Sequence, residues 1–509
     1  MDKRKSLLNV SSAIVSRILL IIVALIVRRL LIQNIGNDVN GLDSLYTSII
    51  GVLAVAELGI GSAIIFSMYN PIVQGDRRQV ASLYFLYRKL YRIIGLFIFA
   101  AGCLILPFLP NLIEDYADIN VNVYATFLLT LIAVILTYFY SAKSSLIEAY
   151  KDNYITTIIL TASRLIMYGL QIVVLLLSES FVLYLVCQIV GSLVAWVLTE
   201  AVVRKKHSGI IKTFVPVDRD TRYEIVKNIK AMFMHRFGSV LIGSIDNLII
   251  STFVGVVVLG KYSNYNYICS VMSGTIALFF TPLTSTVGHL CAQGNKEKMR
   301  AYFDHFYCMN YILGVVFFLG YYAVIHGVAR LVFGLGIEVS QGIVFVITVS
   351  QFISFMRRSC LLFRDASGTF YFDRWKPAVE GLTNLILSLV FVQVFPEEYK
   401  VVGVIIATII TNLSICYIVE PYVVYKHAFG QSPWGYYFRN YAYTGIFVVA
   451  LFILSRCVSD ADGTLIGIAN NGIISIAVSI GALVVVFLLD KKFRSELLTM
   501  RQRIIYLRR

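Results

Sequence analysis

Residues 3–34 read KRKSLLNVSSAIVSRILLIIVALIVRRLLIQN, a basic cluster followed by an apolar stretch that begins near residue 10. The apolar part is longer than the roughly 20 residues that an α-helix needs to cross the hydrocarbon of a bilayer. It is also longer than the apolar region of a cleavable signal and has no small-residue cleavage site, so we expect it to be retained as an anchor. This stretch therefore predicts a transmembrane helix.

Apolar stretches of the same kind recur along all 509 residues, of which 58% are hydrophobic. Their lengths predict about 14 transmembrane helices joined by short loops. Most of the 44 lysines and arginines fall in the tails or in every second loop. Four lie in the other loops, namely Lys261, Arg330, Lys400 and Arg456, and five lie inside spans, namely Arg17, Arg28, Arg29, Arg164 and Arg236. The predicted fold class is thus an all-α integral membrane protein, and the positive-inside rule places both termini in the cytoplasm.

The net charge of +15 lies mainly beside the predicted spans, in clusters such as Lys3-Arg4-Lys5 and Arg204-Lys205-Lys206. Basic residues in this position favour contact with anionic phospholipid and argue against nucleic acid as a partner. The eight cysteines show no CxxC spacing, so neither a disulfide framework nor a metal site is indicated. No cofactor is predicted, although a proton or a sodium ion is a candidate coupling ion.

The first part of the chain repeats weakly at an offset of 219 residues, which aligns Arg17 with Arg236, Gly36 with Gly255 and Gly41 with Gly260. Six predicted spans separate the two aligned starts, so both have the same orientation. We therefore predict two pseudo-symmetric six-helix lobes, related as parallel repeats about an axis along the membrane normal.

The repeat predicts the domain organisation. Residues 1–204 form an N-terminal six-helix lobe, 205–230 a cytoplasmic linker, and 231–426 a C-terminal six-helix lobe. Residues 427–509 contain two additional helices and a basic cytoplasmic tail.

Several arginines lie inside predicted spans, where a lipid-facing guanidinium costs at least a few kcal/mol. Arg17 and Arg28 are about three helical turns apart on one face of the first span. In the repeat, Asn247 takes the position of Arg28. Because guanidinium stays charged and binds phosphate in bidentate fashion, we predict a cationic cavity for a phosphate-bearing substrate, lined by Arg17, Arg28, Arg164 and Arg236. Arg29, near the span end, is expected to extend toward the headgroups instead.

Polar residues accompany these arginines. Glu57 and Asp246 lie within predicted spans, and each could be a counter-ion to an arginine or a site for a coupling ion. His235 could titrate near neutral pH, although a histidine at a helix entrance is more often an interfacial group. We therefore place Glu57, Asp246, Asn247 and His235 among the polar cavity residues, with no catalytic residue and no metal ligand.

Motifs in both halves resemble bacterial capsule and O-antigen repeat-unit flippases of the Wzx type. Those in the first half are Gly36, Gly41-Leu42-x-Ser44-Leu45, Glu57-Leu58-Gly59-Ile60-Gly61, Tyr69-x-Pro71 and Tyr87-Arg88-Lys89-x-x-Tyr91. Those in the second are residues 244–251 and 260–265. The resemblance implies the multidrug, oligosaccharidyl-lipid and polysaccharide flippase superfamily, with two six-helix lobes around a central cavity. It also implies alternating access, with the four cavity arginines engaging a lipid diphosphate and Glu57 and Asp246 coupling or gating.

The function predicted from the sequence is therefore non-enzymatic. The protein would move undecaprenyl-diphosphate-linked oligosaccharide across the bacterial cytoplasmic membrane for capsule, O-antigen or exopolysaccharide assembly, with polymerase or export proteins as candidate partners. The alternatives are a flippase for lipid II or a teichoic precursor, then a multidrug antiporter, which a positive cavity disfavours. A membrane polysaccharide polymerase or glycosyltransferase would typically need a sizeable outer loop with catalytic acids, whereas here those loops are short. A scaffold protein would not explain arginines at matched positions of two repeats.

Overall fold

The computed structural model describes residues 3–57, 60–213, 215–217, 243–292, 295–459 and 464–507. All regular secondary structure in these ranges is helical. Ten helices are long and apolar enough to cross a membrane. The all-α, multi-pass membrane fold is thus confirmed, and the number of about 14 spans stays a prediction because the ten come from the described residues alone.

The chain divides into two compact units, Met1–Gly260 and Lys261–Arg509. The predicted lobe boundaries are not tested by this division and stay predictions. The helices of the first unit are α1 Lys3–Asn34, α2 Asn37–Leu53, α3 Ile60–Gln74, α4 Arg77–Ile105, α5 Val123–Ala149, α6 Asn153–Leu177, α7 Phe181–Lys206, α8 Ser208–Lys212 and α9, residues 243–253. Helix α10, Val256–Ala292, contains the division point.

The helices of the second unit are α11 Lys296–Phe333, α12 Gln341–Met356, α13 Arg358–Ala366, α14 Lys376–Val394, α15 Lys400–Thr411, α16 Tyr417–Val423, α17 Trp434–Cys457, α18 Leu465–Leu489 and α19 Lys491–Leu507. Two π-helical segments, Asn412–Cys416 and Val424–Phe429, flank α16. Within this unit α11 packs on α18 and α12, and α14 packs on α15; in the first unit α5 packs on α7 and α4, and α1 packs on α6.

Several long helices begin at a residue whose side chain caps the exposed backbone N–H groups. Asp76 accepts a hydrogen bond from the backbone of Gln79 at the start of α4, at 2.9 Å. Asn122 does the same for α5, at 3.0 Å, and Asn295 for α11, at 2.9 Å. Each cap satisfies a donor that would otherwise be unpaired, and this fixes where the helix starts.

The α-helical backbone is interrupted between α2 and α3. Helix α2 ends at Leu53, a 3₁₀ turn covers Ala54–Glu57, and α3 begins at Ile60. Non-helical backbone at membrane depth is tolerated where it is surrounded by protein or lines a polar cavity. The interruption therefore marks the surroundings of Glu57 as a place with partners other than lipid.

Local structure follows the 219-residue repeat at one position in particular. Gly36 has φ +143° and Gly255 has φ +113°, so both aligned glycines adopt a backbone that L side chains rarely accept. A short helix break precedes α2 in one case and α10 in the other. The sequence match therefore corresponds to a shared turn.

Helices α2 and α10 then cross closely at the next matched pair of glycines. A Cβ on Gly41 would overlap the carbonyl group of Val256, and a Cβ on Gly260 would overlap the carbonyl oxygen of Asn37. Asn40 Nδ2 donates to the carbonyl oxygen of Gly260 at 3.0 Å across this crossing. The contact is reciprocal, because Asn37 and Val256 are themselves aligned by the repeat.

Candidate substrate-binding and coupling site

Arg17 lies in the middle of α1 and is half-buried. Its Nε–H is buried and donates to no hydrogen-bond acceptor among the described residues. A buried donor without a partner costs free energy unless something outside the protein, such as water or a ligand, occupies the position next to it. Arg17 therefore has a buried donor that no described residue satisfies.

Arg28 and Arg29, about three turns further along α1, differ from Arg17. Arg28 is half-buried and interacts electrostatically with Asp43 of α2. Arg29 is exposed, and its Nε donates to Gln33 of the same helix at 3.4 Å. The expected extension of Arg29 toward the headgroups stays a prediction. Arg28 has a carboxylate beside it that partly offsets its charge.

Of the other two predicted cavity arginines, Arg164 and Arg236, only Arg164 lies within the described residues. Arg164 lies on an exposed side of α6 and acts electrostatically on Tyr140 of α5. Arg236 and the neighbouring His235 lie outside the described residues. A shared cavity for the four arginines thus stays a prediction.

The polar residues of α9 face α2. Asn247 Nδ2 donates to Ser48 Oγ at 2.9 Å, and Ser48 in turn donates to the backbone oxygen of Ser44 at 2.9 Å. Asp246 is half-buried and makes interactions of its own. Asn247 therefore has a structural hydrogen bond between two helices in addition to its predicted cavity role.

Glu57 ends the 3₁₀ turn between α2 and α3. Its Oε1 accepts a hydrogen bond from Tyr91 Oη of α4 at 2.7 Å, and Tyr138 of α5 also interacts with it. Tyr91 and Tyr138 line an apolar cavity of about 320 Å³ between α4 and α5, with Arg92 at its edge. Glu57 was predicted to be either a counter-ion to an arginine or a site for a coupling ion. Among the described residues its partners are tyrosine hydroxyls rather than an arginine.

The second unit contains a buried ionic cluster that the sequence analysis did not identify. Arg357 Nη2 binds Glu420 Oε1 at 2.6 Å, and Arg357 Nη1 binds Glu380 Oε1 at 3.0 Å. Lys376 Nζ completes it, at 2.5 Å from Glu420 and 2.9 Å from Glu380. We call Arg357, Lys376, Glu380 and Glu420 the Arg357 cluster. Two cations face two carboxylates, so the cluster is electrically balanced and has no net charge to attract a diphosphate.

The signal for this cluster was present but weak. Lys376 and Glu380 are four residues apart, the spacing at which opposite charges meet on a helix. Nothing in the sequence singled out Glu420. The side chains of Glu380 and Glu420, on α14 and α16, are only 5% and 1% exposed.

Comparison with known proteins identifies the fold. The lipid II flippase MurJ, in an inward closed conformation, matches with a TM-score of 0.64 and 13% identity, covering 94% of this chain and 99% of that chain. A multidrug resistance MATE family transporter of the MOP superfamily, in an inward-facing conformation, matches with a TM-score of 0.57 and 14% identity, covering 82% and 94%. No protein-family model and no curated protein sequence matches the chain. The chain therefore has the fold of these two membrane transporters, which confirms the predicted fold class.

Proposed function

We propose that this protein is a flippase that moves an oligosaccharide linked to undecaprenyl diphosphate from the cytoplasmic to the outer leaflet of a bacterial cytoplasmic membrane. Translocation would proceed by alternating access, without covalent chemistry, to supply capsule, O-antigen or exopolysaccharide assembly. The observation that carries this proposal is Arg17, a guanidinium in the middle of a membrane helix with a buried Nε that has no partner among the described residues.

The charge of Arg17 favours an anionic headgroup over other cargo. A diphosphate offers several oxygens to a guanidinium, and such charge-assisted hydrogen bonds gain strength where water is scarce. A cationic drug would be repelled by the same side chain. The similarity to a lipid II flippase supports a lipid-linked saccharide as the cargo.

Two other functions remain candidates within the same fold. Lipid II or a teichoic precursor would present the same diphosphate to Arg17, and only the sugar would differ. The similarity to a MATE transporter makes a multidrug antiporter the other alternative. Assays with a polyprenyl-diphosphate oligosaccharide, lipid II and a cationic dye separate the three.

The test is translocation in proteoliposomes that contain the full-length protein and a radiolabelled polyprenyl-diphosphate oligosaccharide. Losing one hydrogen bond to a charged group costs about 1.5–3 kcal/mol, so we expect Arg17→Gln to slow translocation by roughly 10- to 100-fold. Arg17→Lys should recover part of the rate, since it restores the charge without the bidentate geometry.

Arg29→Gln is the matched control, because Arg29 lies on the same helix but is exposed and bound to Gln33. We expect it to translocate at the wild-type rate. Equal rates for wild type, Arg17→Gln and Arg29→Gln would remove Arg17 from the mechanism and with it the main support for a diphosphate substrate.

The remaining parts of the proposal concern orientation and partners. The loop charges favour cytoplasmic termini next to anionic phospholipid. Labelling of single cysteines introduced near residues 8 and 492 in intact cells tests this orientation. If these cysteines react with a reagent added outside the cell, the termini lie outside and the proposed topology is wrong. Polymerase or export proteins are the partners that would consume the translocated unit.

A further inference from the structure

Three hydroxyl groups in the first unit form a row that ends at Glu57. Ser145 Oγ donates to Tyr87 Oη at 3.0 Å, Tyr87 Oη donates to Tyr91 Oη at 2.9 Å, and Tyr91 Oη donates to Glu57 Oε1 at 2.7 Å. Tyr87, Tyr91 and Ser145 are 1%, 4% and 7% exposed. We call Ser145, Tyr87 and Tyr91 the hydroxyl row. Its members are buried and aligned in one direction, so it is a continuous hydrogen-bonded path through protein.

The local structure explains why these groups meet. Tyr87 and Tyr91 are four residues apart on α4, so both project from one face, and their rings pack edge to face with centroids 4.5 Å apart. Gly61 of α3 leaves the room that the two hydroxyls occupy, because a Cβ there would lie 2.7 Å from Tyr87 Oη and 3.0 Å from Tyr91 Oη. The 3₁₀ turn at Ala54–Glu57 brings the carboxylate to the end of the row.

The surroundings of Glu57 contain no cation bonded to it among the described residues. The groups that face it are Tyr91 of α4 and Tyr138 of α5, and Tyr87 acts on it from one turn away. Glu148 of α5 acts electrostatically on Tyr87 at the other end of the row. Of the basic residues of α4, Arg88 stacks over Phe85, and Arg92 is exposed at the edge of the cavity that Tyr91 and Tyr138 line. Within the described ranges, Glu57 therefore accepts hydrogen bonds from hydroxyl groups and forms no ion pair.

A row of hydroxyls can transfer a proton because each oxygen both donates and accepts. The Tyr91 proton passes to Glu57 as Tyr91 takes one from Tyr87, Tyr87 takes one from Ser145, and Ser145 takes one from a hydronium ion. One hydronium ion is thereby converted to water and one neutral carboxylic acid is formed at Glu57. No oxidant or reductant is needed.

We propose that Glu57 is a proton-binding site that is loaded through Ser145, Tyr87 and Tyr91 from the side of the membrane where α4 begins and α5 ends. The loop charges assign this side to the cytoplasm. Coupling of this proton to lipid translocation rests on the proposed function, whereas proton exchange at Glu57 is independent of it. The proposal selects the proton from the two coupling ions considered above.

A purely structural reading of the same contacts makes a different prediction. If the hydroxyl row only held the helix interruption in place, removing one hydroxyl would lower stability and leave the rate of proton exchange unchanged. Tyr91→Phe is the decisive change, because it removes the hydroxyl and keeps the ring packing. Tyr84→Phe is the matched control, since Tyr84 is fully buried on the same helix and its hydroxyl lies outside the row.

The experiment is time-resolved infrared spectroscopy of the full-length protein in liposomes after a rapid pH drop. We expect a carboxyl C=O band that grows in the wild type and is missing in Glu57→Gln. Because a positioned proton-transfer group contributes about 10²- to 10⁴-fold, the band should form on the order of 100-fold more slowly in Tyr91→Phe. Tyr84→Phe should match the wild type.

Two outcomes would overturn the proposal: a carboxyl band that is unchanged in Glu57→Gln, or equal rates for Tyr91→Phe and Tyr84→Phe. Unfolding transitions of both tyrosine variants, measured in parallel, identify any loss of stability. Neither readout requires a transported lipid. A protein that protonates Glu57 as described but moves no lipid-linked sugar would overturn the proposed function alone.

Discussion

The crossing of α2 and α10 predicts a specific effect of replacing Gly41 with alanine. An added Cβ would lie 2.7 Å from the carbonyl carbon of Val256, whereas ordinary van der Waals contact begins at 3.4 Å. The carbonyl carbon and oxygen of Val256 both belong to the backbone, so no side-chain rotation can relieve the overlap. The two helices would have to separate by roughly 1 Å at this point.

The energetic cost has two parts. Overpacking of a close helix contact typically costs about 1–3 kcal/mol. The separation would also stretch the 3.0 Å hydrogen bond from Asn40 Nδ2 to the Gly260 carbonyl beyond bonding distance, at a further cost of about 1 kcal/mol. We therefore expect Gly41→Ala to lower the free energy of unfolding by about 2–4 kcal/mol.

Denaturant unfolding of the purified protein in detergent, followed by its intrinsic fluorescence, measures this change. Gly169→Ala is the control, because Gly169 lies within α6 and a Cβ there would meet no atom within 4 Å. Alanine is the better helix former by about 0.5–1 kcal/mol, so this variant should be as stable as the wild type or more so.

The reciprocal substitution gives a second check. Gly260→Ala should cost about as much as Gly41→Ala, since its Cβ would overlap the carbonyl oxygen of Asn37. The double variant should lose less than the sum of the two, because one separation of the helices relieves both overlaps. If Gly41→Ala unfolds at the same denaturant concentration as Gly169→Ala, the close crossing described above is wrong.

Other predictions concern the second unit. Glu420→Gln removes one negative charge from the Arg357 cluster, so the two positive charges of Arg357 and Lys376 face a single carboxylate, and the free energy of unfolding should fall by about 3–5 kcal/mol. The control is Glu397→Gln, which breaks the exposed ion pair with Lys400 and should change the free energy of unfolding little. Equal effects of the two substitutions would mean that burial of the ion pair does not matter here. Burial opposes ionisation of Asp490, but hydrogen bonds from Tyr443 and Arg439 outweigh it, so the pKa of Asp490 lies below its usual value. A carboxyl whose pKa falls on folding stabilises the protein above its unfolded pKa and loses this contribution as the pH drops through its folded pKa. Wild type should therefore be more stable than Asp490→Asn near neutral pH and approach it in acid, and a constant difference across that range would contradict the assignment.

The fold could be predicted from the sequence because a bilayer imposes few choices. Long apolar stretches must be helical in lipid, and the distribution of lysine and arginine among loops reflects insertion rather than tertiary contacts. The aligned glycines at 36 and 255, and at 41 and 260, indicated a repeat because glycine at a positive φ or at a close crossing has no substitute. Each of these glycines is required by its local backbone, so the matches remain visible although most other residues differ between the two halves of the chain.

The site was predicted only in part, because partners are set by tertiary packing. Glu57 was identified as an unusual acid within a span, but nothing in the sequence placed Tyr91 against it. Glu380 and Glu420 were missed because tertiary packing brings Arg357 to both of them. Asn247 was matched to Arg28 by the repeat, yet its amide bonds to Ser48, a contact that depends on how α9 lies against α2.

The crossing of α2 and α10 also has a consequence for the origin of the chain. Each of the two stretches presents the same glycine and the same backbone carbonyl position to the other, which is the arrangement of an isologous interface in a two-fold symmetric dimer. A half-length ancestor could have made this contact between two separate molecules before gene duplication joined them. Substitutions at one glycine would then be constrained by the other, so the pair should change together or not at all.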